Sequence, residues 1–90
     1  MDQAMITNLV KSYEEVLKRY GFIKRELSQS QIEEITERLE DHERCHKSWV
    51  ANEETEGEDM VEIAVYGGGD NVALECMNCH EVIIDSEYFK

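Results

Sequence analysis

Three cysteines and a histidine supply the residue types from which a metal centre can be built. Cys76 and Cys79 stand three positions apart, as do His42 and Cys45, and thirty residues separate the two pairs. A tight turn lets both thiols of a Cys-x2-Cys pair reach one ion, and a structural zinc takes four thiolate or imidazole ligands in a closed tetrahedron. His42, Cys45, Cys76 and Cys79 meet that count and use every cysteine of the chain. Zn2+ is therefore the expected cofactor. The fourth ligand stays open among three imidazoles. His42, three positions before Cys45 on a helix end, is the first choice. His46 serves if that helix unwinds, and His80 if the backbone contorts. Taken alone, His42 also reads as a core-facing residue that extends the stripe of Ile32, Ile35 and Leu39.

Three thiolates and an imidazole fill the coordination shell and leave a net negative centre, a poor Lewis acid, whereas a catalytic zinc keeps one position open. The rival chemistry is thiol–disulfide exchange at Cys76 and Cys79. That chemistry favours a pair at a helix N-terminus, where the thiol pKa falls; here strand-like runs flank the pair, and Glu75 and Glu81 adjoin it. No P-loop, GxSxG elbow, HExxH or dinucleotide fingerprint occurs. No enzymatic activity is expected.

The elements that must position these ligands follow from periodicity. Met5, Ile6, Leu9, Val10, Tyr13, Val16, Leu17 and Tyr20 recur at helical steps, which predicts a helix over Asp2–Tyr20 with Gly21 as its C-terminal cap. Glu14–Lys18 and Glu15–Arg19 are candidate ion pairs along it. Ser30, with Glu33 three later, predicts a capping box and a second helix running to about Arg44. Ser48–Ala51 reads as a short strand, with Trp49 as a lid over the metal. Val61, Ile63 and Val65 alternate with Glu62 and Ala64, Gly67–Asn71 is rich in turn formers, and Val72, Leu74 and Cys76 alternate again, so 59–76 reads as a β-hairpin. Val82–Ile84 is a third strand candidate, followed by a tail over 86–90.

The order of strand, Cys76-Met77-Asn78-Cys79, strand resembles the knuckle of the zinc-ribbon class. The resemblance spans roughly residues 42–85, and the second knuckle carries it. Members of the class commonly place glycine directly after the second cysteine, where this chain has His80. It implies a small antiparallel β unit closed by zinc. The expected fold class is thus α+β: an N-terminal two-helix hairpin over 1–45 and a zinc-ribbon-like β unit of three or four strands over 46–90, forming one compact domain.

Ninety residues allow one thin core, about 60–65% of the unfolded surface being buried in a chain of this size. Short domains often recruit a metal to close that gap. No run approaches the roughly eighteen apolar residues of a membrane span, and no basic segment followed by an apolar one opens the chain. With an odd number of cysteines, this points to a reducing, cytoplasmic setting. The net charge is −12, and it is uneven: residues 1–30 hold five basic and four acidic groups, residues 31–90 four basic and seventeen acidic. Such a field repels phosphate backbones and membranes and attracts basic protein surfaces.

The expected function is a non-catalytic, zinc-stabilised acidic interaction module that docks on a basic protein surface. Size and charge suit a regulator or inhibitor of nucleic-acid-handling or host machinery, phage-encoded proteins included. Asn52–Asp59 places Glu53, Glu54, Glu56, Glu58 and Asp59 in one loop, the candidate partner-binding residues; its spacing does not fit a calcium loop. The plainer reading of that run is a solvated loop. The alternative is a nucleic-acid-binding zinc ribbon in transcription, using Lys18, Arg19, Lys24 and Arg25. The apolar surface of the first helix leaves room for a homodimer.

Overall fold

The computed structural model describes residues 1–55 and 57–90. Helix α1, Gln3–Arg19, begins where Asp2 accepts a hydrogen bond from the Met5 N–H at 2.8 Å. It ends in a Schellman motif: the Phe22 N–H donates to the Leu17 carbonyl (2.9 Å), the Gly21 N–H to that of Lys18 (3.1 Å), and Gly21 sits at φ 81°. Ile6, Val10, Tyr13 and Leu17 form its buried stripe. Neither Glu14–Lys18 nor Glu15–Arg19 forms an ion pair among the described residues. Glu14 turns instead to the backbone N–H of Leu27, 2.8 Å away.

Helix α2, Gln29–Glu40, starts two residues earlier than Ser30 and Glu33 suggested. Ser28 is the cap and Gln31 closes the box: the Gln31 N–H donates to Ser28 Oγ (3.2 Å) and the Ser28 N–H to Gln31 Oε1 (2.9 Å). The same motif occurs in both registers of the sequence. Burial selects between them, because Leu27 before the cap and Ile32 after it line one cavity as a hydrophobic staple. Glu34 and Arg38 do pair, at 2.8 Å.

The second helix does not reach Arg44. In a continuing helix the Arg38 carbonyl would accept the His42 N–H. Here the His42 ring takes that carbonyl through Nδ1 at 3.0 Å, and the backbone N–H donates to Leu39 instead (3.0 Å). The chain turns, and a third helix, α3, runs Glu43–Ala51. Ser48–Ala51, expected as a strand, is thus the end of a helix. Cys45 and Trp49, one turn apart, pack its inner side against the core. This helix also crosses the 45/46 boundary expected between the helical and β units.

Strands β1, Val61–Tyr66, β2, Asn71–Cys76, and β3, Val82–Asp85, form an antiparallel sheet in the order β1-β2-β3, and a short 3-10 helix, Ser86–Phe89, follows. The fold is α+β, three helices followed by a three-stranded sheet. Val61 pairs with Cys76, Ile63 with Leu74 and Val65 with Val72, so the alternating residues read from the sequence share one face. A bulge between Leu74 and Glu75 shifts the β2–β3 register. At the hairpin turn a Cβ on Gly69 would overlap the ring of Tyr20, which fixes glycine where the end of α1 meets the turn.

One core joins helices and sheet through Ile6, Leu17, Ile35, Leu39, Leu74 and Ile84. Inside it the Tyr13 hydroxyl donates to the Val72 carbonyl at 2.9 Å. Burial, helped by the charge of Asp85, pushes this phenol far above its ordinary pKa. Val72 faces away from β1 in the ladder, and its N–H is taken by Ser86 Oγ at 3.0 Å. Tyr13→Phe leaves its carbonyl buried without that donor. We expect a loss of about 1–3 kcal/mol in urea unfolding, with the m-value unchanged.

Candidate metal centre

The Cys76–Cys79 loop is shaped by three backbone hydrogen bonds. The Met77 N–H donates to the Met60 carbonyl (2.7 Å), the His80 N–H to that of Cys76 (2.8 Å), and the Cys76 N–H to that of Glu81 (3.0 Å). They end β2 at Cys76, fold the four residues Cys76–Cys79 into a loop and launch β3. His80 adopts φ 62°, the left-handed conformation that glycine takes without strain, at the position where zinc ribbons commonly carry glycine. That backbone costs a non-glycine residue about 1–2 kcal/mol, while glycine raises the unfolded-state entropy cost by about 0.5–1 kcal/mol. His80→Gly should therefore stabilise the protein by about 0.5–1 kcal/mol, read as a rise in the urea midpoint; an unchanged or lower midpoint would mean that His80 makes a compensating contact.

His42 comes to this loop from the α2–α3 turn. Its ligand nitrogen and the sulfurs of Cys76 and Cys79 all lie within 4.8 Å of one another, a group that could hold a metal ion. The ring is buried, with Nδ1 engaged by the Arg38 carbonyl at 3.0 Å. A carbonyl only accepts, so Nδ1 carries the proton and Nε2 presents its lone pair. That Nε2 is buried with no hydrogen-bond partner among the described residues. The Glu81 carboxylate lies 3.4 Å away but outside hydrogen-bonding geometry, and it forms an ion pair only with the protonated ring. A buried, orphaned imidazole nitrogen facing two thiols, with its other nitrogen oriented by a backbone carbonyl, is the arrangement of a metal ligand and its supporting shell. On this observation the residues fit a metal.

Cys45 falls outside the three-donor set but opens on the same cleft, on the first turn of α3. Its thiol pKa is drawn below the ordinary value, first by the side chain of Asn78, and then by Cys79 and Cys76 against the opposing effect of burial. The Cys76 thiol is pushed up to about 11, burial being the main cause. For His42, burial works downward, but the Arg38 carbonyl and the Cys79 and Glu81 charges outweigh it, and the net shift is upward. A divalent cation bound here would replace protons at these sites.

The other two histidines stand elsewhere. His46 faces a separate cleft with Met1, Met5, Leu9 and Met60, and His80 is exposed at the turn. Of the acidic residues, Glu53, Glu54, Glu58 and Asp59 are exposed between α3 and β1, while Glu56 lies outside the described residues. Trp49, expected over the metal, serves this segment: its indole N–H donates to the Glu58 carbonyl at 2.8 Å, and the Thr55 hydroxyl donates to the Trp49 carbonyl at 2.6 Å. Two neighbours of the centre were given no role by the sequence reading. Asn78 lay inside the Cys-x2-Cys pair and so had a positional signal. The Arg38 carbonyl had none.

The class defined by this fold and site is an α+β chain of three helices and a three-stranded sheet with a His/Cys cluster that could hold a metal. No protein-family model, no curated protein and no solved structure matches the chain. No helix among the described residues is long and apolar enough to cross a membrane.

Proposed function

We propose that this protein is a non-catalytic interaction module, stapled by one zinc ion on His42, Cys45, Cys76 and Cys79, that docks on the basic surface of a partner protein. The observation that carries the reading is the orphaned Nε2 of His42 against Cys76 and Cys79. It supports a structural role for these reactive side chains, which would leave the surface to function. Zinc there ties the α2–α3 turn to the end of β2, with Cys45 swinging in as the fourth ligand. The chain carries a net charge of −12, and the segment bearing the exposed Glu53, Glu54, Glu58 and Asp59 is tied to Trp49 through the Glu58 carbonyl and the Thr55 hydroxyl. A regulator or inhibitor of nucleic-acid-handling machinery fits this charge, since the partner's basic surface is the one that otherwise holds phosphate. The three free thiols fit a reducing compartment such as the cytoplasm.

Nucleic-acid binding is the second reading, favoured by Lys18, Arg19, Lys24 and Arg25, which are all exposed and without an ion-pair partner among the described residues. Thiol exchange is disfavoured by the buried Cys76, whose thiol is shifted away from the reactive thiolate. A salt series decides between the first two. Duplex DNA and single-stranded RNA should not bind even at low salt, while polylysine should, with an affinity that falls steeply as salt rises. DNA or RNA binding with a steep salt slope would overturn the proposal in favour of the second reading. Native mass spectrometry should show one zinc per chain.

A further inference from the structure

We propose that the free edge of β1, at Ile63 and Val65, takes up an extended, lysine- or arginine-bearing segment of the partner as a fourth strand. The inference rests on the reading of the protein as a module for a basic partner. β1 is an edge strand, and the ladder determines which of its groups face outward. The Met77 N–H donates to the Met60 carbonyl, while the N–H groups of Cys76 and Val72 point to Glu81 and Ser86, away from β1. Met60–Met77 is therefore a hydrogen-bonded pair, and Val61–Cys76, Ile63–Leu74 and Val65–Val72 are the pairs between. The N–H and C=O of Val61, Ile63 and Val65 turn away from β2. Val61 is buried, but Ile63 is only half-buried, and Val65 and Tyr66 are 40% and 49% exposed. Four backbone groups, those of Ile63 and Val65, remain as a template for strand addition.

The two edges of the sheet differ. Along β3, α2 packs against the strand and the Arg38 guanidinium donates to the Ile83 carbonyl at 3.4 Å. The bulge lies on that side as well. β1 carries no lysine, no proline and no bulge, and Glu62 is its one charged side chain.

The charge beside this edge selects the occupant. Glu62 and Glu75 are direct cross-strand partners on the outer face, and neither has an ion-pair partner among the described residues. Like charges opposite each other destabilise a hairpin. A cationic side chain on an added strand would lie beside Glu62 and relieve that repulsion. Glu58 and Asp59, exposed just before the strand, extend the negative field. A second copy of this chain would set Glu62 against further negative charge on a molecule of net charge −12, which disfavours self-pairing.

The test is amide exchange on the zinc-loaded, isotopically labelled protein at low salt. The probe is a synthetic peptide of about six residues alternating lysine with threonine. The amides of Ile63 and Val65 should slow by at least about tenfold on saturation, and a peptide with glutamate in place of lysine should not bind. Val65→Pro removes an outward N–H without touching the β1–β2 ladder and should abolish protection at Ile63. Glu62→Lys preserves the edge and should weaken the peptide by about tenfold; it decides the matter if the proline variant loses its hairpin. Salt-dependent binding with unchanged exchange at Ile63 and Val65 overturns the edge inference and leaves the interaction module standing. Absence of lysine-peptide binding at low salt overturns both. Concentration-dependent protection of these amides without peptide would assign the edge to a second copy and overturn the basic-segment proposal.

Discussion

Cys76→Ser should yield a chain that neither holds zinc nor folds. Cys76 is fully buried, within the same cluster as Val61, Leu74 and Leu39. Structural zinc contributes about 10–16 kcal/mol in small domains, against a typical net stability of about 5–15 kcal/mol. With zinc bound as proposed, its loss exceeds what a core of this size leaves in surplus. The serine hydroxyl adds the cost of a buried polar group, about 1–3 kcal/mol if unpartnered. Because the helices and sheet share one core, the loss should not stop at the β half. Native mass spectrometry should show no zinc on the variant, and its amide spectrum should collapse toward random-coil dispersion. Chelation of the unmodified protein should do the same, reversibly. Cys45→Ser should weaken zinc binding and leave the fold in place, since Cys45 lies outside the set formed by His42, Cys76 and Cys79. A metal-free protein that remains fully folded would overturn the centre.

Leu74→Ala should cost about 2–5 kcal/mol, a large share of the total. Leu74 lies at the middle of the central strand, has no solvent exposure, and is paired with Ile63 on one side and Ile84 on the other. Both neighbours are held by ladders, so little can move to fill the space it leaves. In urea unfolding of the zinc-loaded protein the midpoint should fall with the m-value unchanged. Val82→Ala supplies the contrast: Val82 is 49% exposed, and the change should cost no more than about 0.5 kcal/mol. Equal losses at the two positions would mean that the sheet does not pack as described.

Both results bear on what could be read in advance. The first helix was legible because its apolar repeat and the Gly21 stop lie within twenty-one residues and agree; Asp2, read as its first residue, is its N-cap. The hairpin was legible because the alternation on either side of Gly67–Asn71 allows one register with the core face inward. The start of α2 was misread because two overlapping capping motifs occur, and only the burial of Leu27 separates them. Ser48–Ala51 was misread because four residues are too few to distinguish a buried helix turn from a strand.

The centre divides in the same way. The side chains able to serve a metal are marked by the spacing of Cys76 and Cys79 and of His42 and Cys45, a local property of the chain. Tertiary structure decided which of them meet. Among three histidines only His42 joins Cys76 and Cys79, and it does so because its ring takes the Arg38 carbonyl, breaks the helix and leaves Nε2 buried beside strands more than thirty residues away. Tertiary structure also decided that β3 is covered by α2 and that β1 is left open. Periodicity and caps act over a few residues and are written in order along the chain. The partner of a buried nitrogen, or of a strand's free edge, is set by segments that meet only when the core closes.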